Sequence, residues 1–230
     1  MQFERAVRYP TQRESWLTTV LIGGILLLLG FLLVPLFLVY GYLVRAIRTS
    51  TAGDPEPPAF DDWGTLLIDG VQAWLVFFLY MLVPVVTAAV LFGGSVAAIA
   101  TGSDIGISAG LGGLFVALGV TLVLSLVFGY VAVVALVNFA REGQFGAAFD
   151  VTTIKTVALD GDYAVAWLGS VLVFLVVGLF GAVPLIGWAL APVATFYAAV
   201  VAAALWADGF DAAVEGRGNV TPSRDREPMM

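Results

Sequence analysis

Residues 105–140 read IGISAGLGGLFVALGVTLVLSLVFGYVAVVALVNFA, and no charged side chain interrupts them. Three further stretches, 15–44, 70–103 and 163–207, are equally free of charge. About 20 apolar residues carry a helix across the hydrocarbon core of a bilayer. Each stretch is therefore long enough for one crossing, and the last is long enough for two. A helix that is apolar on all sides has no face to offer water and belongs in lipid or in a large core. The predicted fold class is all-α, a polytopic transmembrane helical bundle.

Composition agrees. The chain of 230 residues is 60% hydrophobic and 12% charged, against roughly 25% charged residues in a soluble domain. Neither Cys nor His occurs. That excludes disulfides, thiolate chemistry, Cys/His zinc sites and imidazole acid–base work. The net charge of −7 leaves no basic patch for phosphate backbones, so nucleic acid is not an expected partner. Lys155 is the only lysine beside nine arginines, and Asp dominates the acids. That balance fits an extreme halophile's cytoplasm; a GC-rich genome is the other reading.

The charge-free stretches divide into five expected spans, at about 16–44, 71–99, 111–140, 163–181 and 185–207. Residues 1–15 read as a short amphipathic tail and 208–230 as a polar, disordered one. Two amphipathic segments, about 59–69 and 144–158, suit helices lying in the headgroup plane. In the first, Phe60, Trp63 and Leu67 share a face, and Trp63 is the residue type that favours that depth. In the second, Ala147, Val151, Ile154 and Ala158 line one face.

Side counting exposes a tension. With five spans, loops 45–62 and 141–162 and the C-terminal tail share a side that holds Arg45, Arg48, Arg141, Lys155, Arg217, Arg224 and Arg226. The positive-inside rule makes that side cytoplasmic, yet it leaves Arg5, Arg8 and Arg13 outside. If 16–44 instead enters and returns near Gly30–Pro35, every basic residue becomes cytoplasmic. A single crossing is the main expectation and the hairpin, a possible sixth span, is the alternative. The two halves also match in order. Gly41-Tyr42, Ala59-Phe60-Asp61, Asp69-Gly70 and Ala73-Trp74 recur as Gly129-Tyr130, Ala148-Phe149-Asp150, Asp160-Gly161 and Ala166-Trp167. This predicts a parallel internal repeat.

Few residues invite a chemical role. Asp69 and Asp160 precede apolar spans and are expected to cap them, since Asp satisfies free N–H groups at a helix start. Pro35, Pro84, Pro184 and Pro192 would suit the broken helices of a transporter, although proline is ordinary in spanning helices. Gly94, Ala98, Gly102, Gly106 and Gly110 recur every fourth residue, half of them in an expected loop, where flexibility is the simpler reading. Asn138 falls at interface depth, where water would serve it. Asn219-Val220-Thr221 fits a glycosylation sequon. No catalytic residue, metal ligand or cofactor site is expected.

The order Tyr9-Pro10, Trp16, Leu21-Ile22-Gly23-Gly24, Pro35, Gly41-Tyr42-Leu43-Val44-Arg45, Pro57-Pro58-Ala59-Phe60-Asp61-Asp62-Trp63 and Asp69-Gly70 resembles the multi-pass membrane family catalogued as domain of unknown function 4013. That family is common in archaea, halophilic ones especially. The resemblance implies membrane location and supports the halophile reading; it implies no activity, substrate or catalytic residue.

The expected function is that of a non-enzymatic scaffold or accessory subunit of the cytoplasmic membrane, with the lipid bilayer and a membrane-protein partner as its contacts. The alternative is a small transporter or channel for a neutral or lipidic solute, which would show a polar cavity around Gln72, Tyr80, Thr87 or Ser125. A membrane enzyme would gather Asp54, Glu56, Asp61, Asp62, Asp69, Asp150, Asp160 and Asp162 into one pocket.

Overall fold

A computed structural model describes residues 3–218, and within them the chain is helical without a strand. A short helix α1 (Phe3–Arg8) leads to α2 (Trp16–Leu28) and α3 (Val34–Thr51). Two long helices follow, α4 (Trp63–Ile99) and α5 (Asp104–Glu142), then the short α6 (Val151–Ala158). The last pair is α7 (Gly161–Gly181) and α8 (Ile186–Gly218). Helices α4, α5, α7 and α8 are long and apolar enough to cross a membrane. The sequon 219–221, Arg224 and Arg226 lie outside the described residues.

The first expected span is corrected. Residues 16–44 do not form one helix, because α2 stops at Leu28 and α3 starts only at Val34. Pro35 sits in the first turn of α3, where its missing N–H costs nothing. In a continuous helix its ring would strike the carbonyl of Phe31. Leu33 turns the chain with a φ of 64°. The two limbs return to the same end of the molecule. The Tyr9 and Thr49 hydroxyls are 2.9 Å apart, and the Arg13 guanidinium donates to the Pro57 carbonyl at 3.2 Å. At 1.5 Å per residue α2 is about 20 Å long, short of the roughly 30 Å hydrocarbon thickness.

This hairpin sorts the charge. The connections α2–α3, α4–α5 and α7–α8 all point away from the charged segments, the α2–α3 turn reaching less far because Phe37 packs beside Gly70 early in α4. Among the described charged residues only Asp104 adjoins one of them. The N-terminal segment, residues 52–62, residues 143–160 and the end of α8 form the opposite, charged end.

Three further expectations change. The segment 59–69 is not a separate interfacial helix, because α4 begins at Trp63 and runs on past Asp69 into the apolar stretch. Asp62 starts it, accepting a hydrogen bond from the Thr65 N–H. Nothing then breaks the helix, since Gly70 packs against the backbone of α3. In the second segment a 3-10 turn (Phe145–Phe149) precedes α6. Ile154 and Val157 face inward while Val151 stands exposed, so the buried face differs from the expected one. The tail expected from 208 is helical as far as Gly218, because Phe210 and Ala213 are buried in the core. Pro84 and Pro192 lie inside continuous helices, and Pro184 lies in the α7–α8 turn.

Packing is concentrated at the charged end. Tyr42, Ile47, Leu66, Val134, Phe139, Val200, Leu205 and Phe210 form one buried cluster there. Helices α3 and α4 cross in near backbone contact, with Gly41 over the Leu66 carbonyl and Gly70 over the Phe37 carbonyl. Small residues permit such approaches between membrane helices. Toward the other end the spans are nearly bare. Most of the apolar stretch of α4, α5 and α7 is uncovered by the rest of the chain, and about half that of α8. Beyond Trp63 and Ile68, which stand exposed near the start of α4, the uncovered large side chains run from Leu75 to Val96 on α4 and from Ile105 to Val127 on α5. These stretches are about 32 and 33 Å long at 1.5 Å per residue, which matches the bilayer core. The glycine run at the α4–α5 turn divides: Gly106 and Gly110 pack against Ala98, Ser95 and Ile99, whereas Gly94 and Gly102 have open space above them and Gly102 takes the positive φ of the turn.

Candidate functional site: the ion-paired charged end

Arg48, near the end of α3, joins three helices. Its Nη1 lies 3.3 Å from the Asp69 carboxylate on α4, and its Nε donates to the Ala140 carbonyl on α5 at 3.0 Å. The Asp69 side chain is only 12% exposed, so an unpaired charge there would be costly. Arg45, one turn earlier, pairs with the Asp61 carboxylate. It also donates to the Asp61 carbonyl at 3.0 Å. Arg141 closes the other side of the cluster, 3.1 Å from Asp211 on α8. Its guanidinium also lies 4.7 Å over the Phe210 ring, a cation–π contact.

Hydroxyls and amides tie the connections to these helices. Tyr42 donates to the Pro58 carbonyl at 3.1 Å, and Tyr80 to Ala148 at 2.8 Å. Tyr130 donates to Ala158 at 2.9 Å. Asn138 is buried and donates to Ala147 at 2.9 Å, so backbone takes the place expected for water. Asp150 caps α6 by accepting from the Thr152 and Thr153 amides. The Thr153 hydroxyl, first, and those amides hold its carboxyl below the usual carboxylate range. The Thr65 bond holds Asp62 low in the same way.

The expected site residues separate. Asp160 occupies the N-cap of α7 and accepts from the Asp162 N–H. Asp69 does not cap; it lies inside α4, whose cap is Asp62. The reason is that α4 starts earlier than the apolar pattern suggests, and Asp69 then turns inward onto Arg48. The matched motif positions thus serve different ends. Gly41 and Gly70 form a backbone crossing, whereas Gly161 has open space above it. Trp63 begins α4 and stacks on Phe60 at 5.8 Å. Among the described residues no group of three or more carboxylates converges as a metal site. The roles of Arg48 and of the Arg141–Asp211 pair carry no motif. Their one sequence signal is that an arginine ends α3 and another ends α5.

The described clefts lie at the charged end and along the apolar faces. One is lined by polar groups of the α5–α6 connection, including Arg141, Gln144 and Thr153. Another follows the outer face of α6. Two are apolar, one beside Tyr80 and Phe128 and one between α2, α7 and α8. None of these takes in Gln72, Thr87 or Ser125.

No curated protein and no solved structure matches the chain. The family described as "Protein of unknown function (DUF4013)" matches residues 24–186. That range holds the α2–α3 hairpin turn, the Arg48–Asp69 pair and the α4–α5 arm, and the chain belongs to this family.

Proposed function

We propose that the protein is a non-enzymatic scaffold or accessory subunit of the cytoplasmic membrane, with its charged end in the cytoplasm. One observation carries this reading: the three arginines at the ends of α3 and α5 are committed to holding the chain's own segments together. Arg45, Arg48 and Arg141 each meet a carboxylate, and Arg45 and Arg48 also meet backbone carbonyls. A catalytic or ion-coupled site needs ionisable groups turned toward a substrate. The bare faces of α4, α5 and α7 support contact with lipid or with another membrane protein. The sidedness follows from charge, since the other end offers no described basic residue. A duplicated helix–connection–helix unit belongs to the same reading, supported by the like order of α3–α4 and α5–α7. So does a saline cytoplasm, supported by the Lys-poor, Asp-rich balance.

Purification from native membranes in mild detergent tests the function. A stoichiometric membrane-protein partner is the expected result. A chain that purifies alone and conducts a neutral solute in proteoliposomes would refute it.

A further inference from the structure

Helix α6 turns an unusual face outward. Val151, Lys155 and Leu159 stand exposed along it, one helical turn apart, while Ile154 and Val157 anchor the opposite side. Thr152, Lys155 and Thr156 line one cleft on that outer face together with Val151 and Leu159. Thr152 lies one turn before both Lys155 and Thr156, so two hydroxyls and an ammonium border the one cleft. Neither hydroxyl makes a hydrogen bond, and Lys155 makes no ion pair, among the described residues. Asp150 and Asp160, the acids that flank α6, are engaged as the caps of α6 and α7.

A second cleft adjoins the first at Val151. Leu79 and Tyr80 of α4, Phe128 of α5, and Phe149 line it, and its walls are mostly apolar. Their volumes, about 560 and 300 Å³, fall in the range of about 300–1,000 Å³ found for small-molecule sites. The pair sits at the boundary of the lipid-facing belt, because Val127 is the last strongly exposed large apolar residue of α5 before its buried end. Below lies hydrocarbon-length apolar surface; above lies a cationic, hydroxyl-lined cleft.

We propose that these joined clefts hold one anionic phospholipid of the surrounding bilayer. An acyl chain lies against Leu79, Phe128 and Phe149, and the phosphate meets Lys155, Thr152 and Thr156. Lys155 is the cation for the task because it lines the cleft and no arginine does; Arg8, Arg45, Arg48 and Arg141 are moreover ion-paired and Arg13 is bonded to a carbonyl. A lysine on a long stem reaches the phosphate level while its methylenes stay in apolar surroundings.

Native mass spectrometry of the full chain, in micelles with equal phosphatidylglycerol and phosphatidylcholine, tests this. The wild type retains phosphatidylglycerol preferentially. Lys155→Gln lowers that retention about fivefold, as expected for one lysine near an anionic surface, and Lys155→Arg preserves it. Leu79→Trp fills the apolar cleft and lowers retention with the charge intact, while Arg5→Gln has no effect. Equal retention of the two lipids overturns the proposal. So does wild-type retention in both Lys155→Gln and Leu79→Trp, or an equal loss in Arg5→Gln. Displacement of the lipid by glycerol phosphate as readily as by intact phosphatidylglycerol would also overturn it, since the acyl cleft would then play no part.

Discussion

The Arg48–Asp69 pair should be worth a measurable coupling energy. At 3.3 Å two unit charges attract by about 5 kcal/mol at an effective dielectric of 20, and by about 1.3 kcal/mol in bulk water. Asp69 is nearly buried, but the Arg48 side chain is 39% exposed, so solvent screening moves the value toward the lower limit. A coupling of about 2 kcal/mol is the expected outcome. The cycle compares Arg48→Met, Asp69→Asn and the double variant, with unfolding followed by steric trapping in bicelles. Arg48→Met alone should cost more than the coupling, about 3 kcal/mol, because it leaves a carboxylate unpaired in the helix interface and frees the Ala140 carbonyl. The double variant should recover part of that loss. A coupling within about 0.5 kcal/mol of zero would show that Asp69 and Arg48 are neighbours without an energetic link, and the three-helix tie would fail as an explanation of the fold.

Gly41→Val and Gly70→Val place side-chain atoms into facing backbone and should each destabilise by about 3 kcal/mol or more, seen as loss of the monodisperse peak in heated gel filtration. Gly93→Val, with open space above it, should leave that peak intact. The start of α6 should respond to acid with a defined sign. The Asp150 carboxyl is held below its ordinary pKa, so its capping contribution is present above the ordinary value and disappears as pH falls through the lowered one. The protection of the Thr152 and Thr153 amides from hydrogen exchange, taken relative to the intrinsic rate at each pH, should fall in that acid window, and Asp150→Asn should abolish the pH dependence of that protection.

Much of this architecture is legible in the residues, and the failures share a cause. Charge-free length identifies α4, α5, α7 and α8, because bilayer thickness imposes a length that composition reveals. Helix boundaries at the charged end are less visible. The chain from Trp63 to Asp69 looks amphipathic, yet it is the first part of a long helix whose Asp69 meets Arg48 of α3 rather than headgroups. Likewise Asp208 and Asp211 look like the onset of a tail. Arg141 and the apolar partners of Phe210 keep that segment helical, and those partners are distant in sequence. The break at Leu29–Leu33 was signalled by Pro35 and by the three N-terminal arginines together; hydropathy alone hides it, because the turn is as apolar as the helices. Asp69 shows the limit most clearly. Its spacing before an apolar run suggests a cap, and only the α3–α4 crossing, set by Gly41 and Gly70, turns it onto Arg48.

The central claim is that the N-terminal segment and residues 52–62 share one side of a membrane, opposite the α4–α5 turn. The absence of native cysteine makes single-cysteine labelling of intact cells with an impermeant maleimide the direct measurement. Asp104→Cys should label, while Arg8→Cys and Asp54→Cys should react only after the membrane is permeabilised. Labelling of Arg8→Cys together with Asp104→Cys, with Asp54→Cys protected, would mean that residues 16–44 cross the bilayer once and would contradict the account.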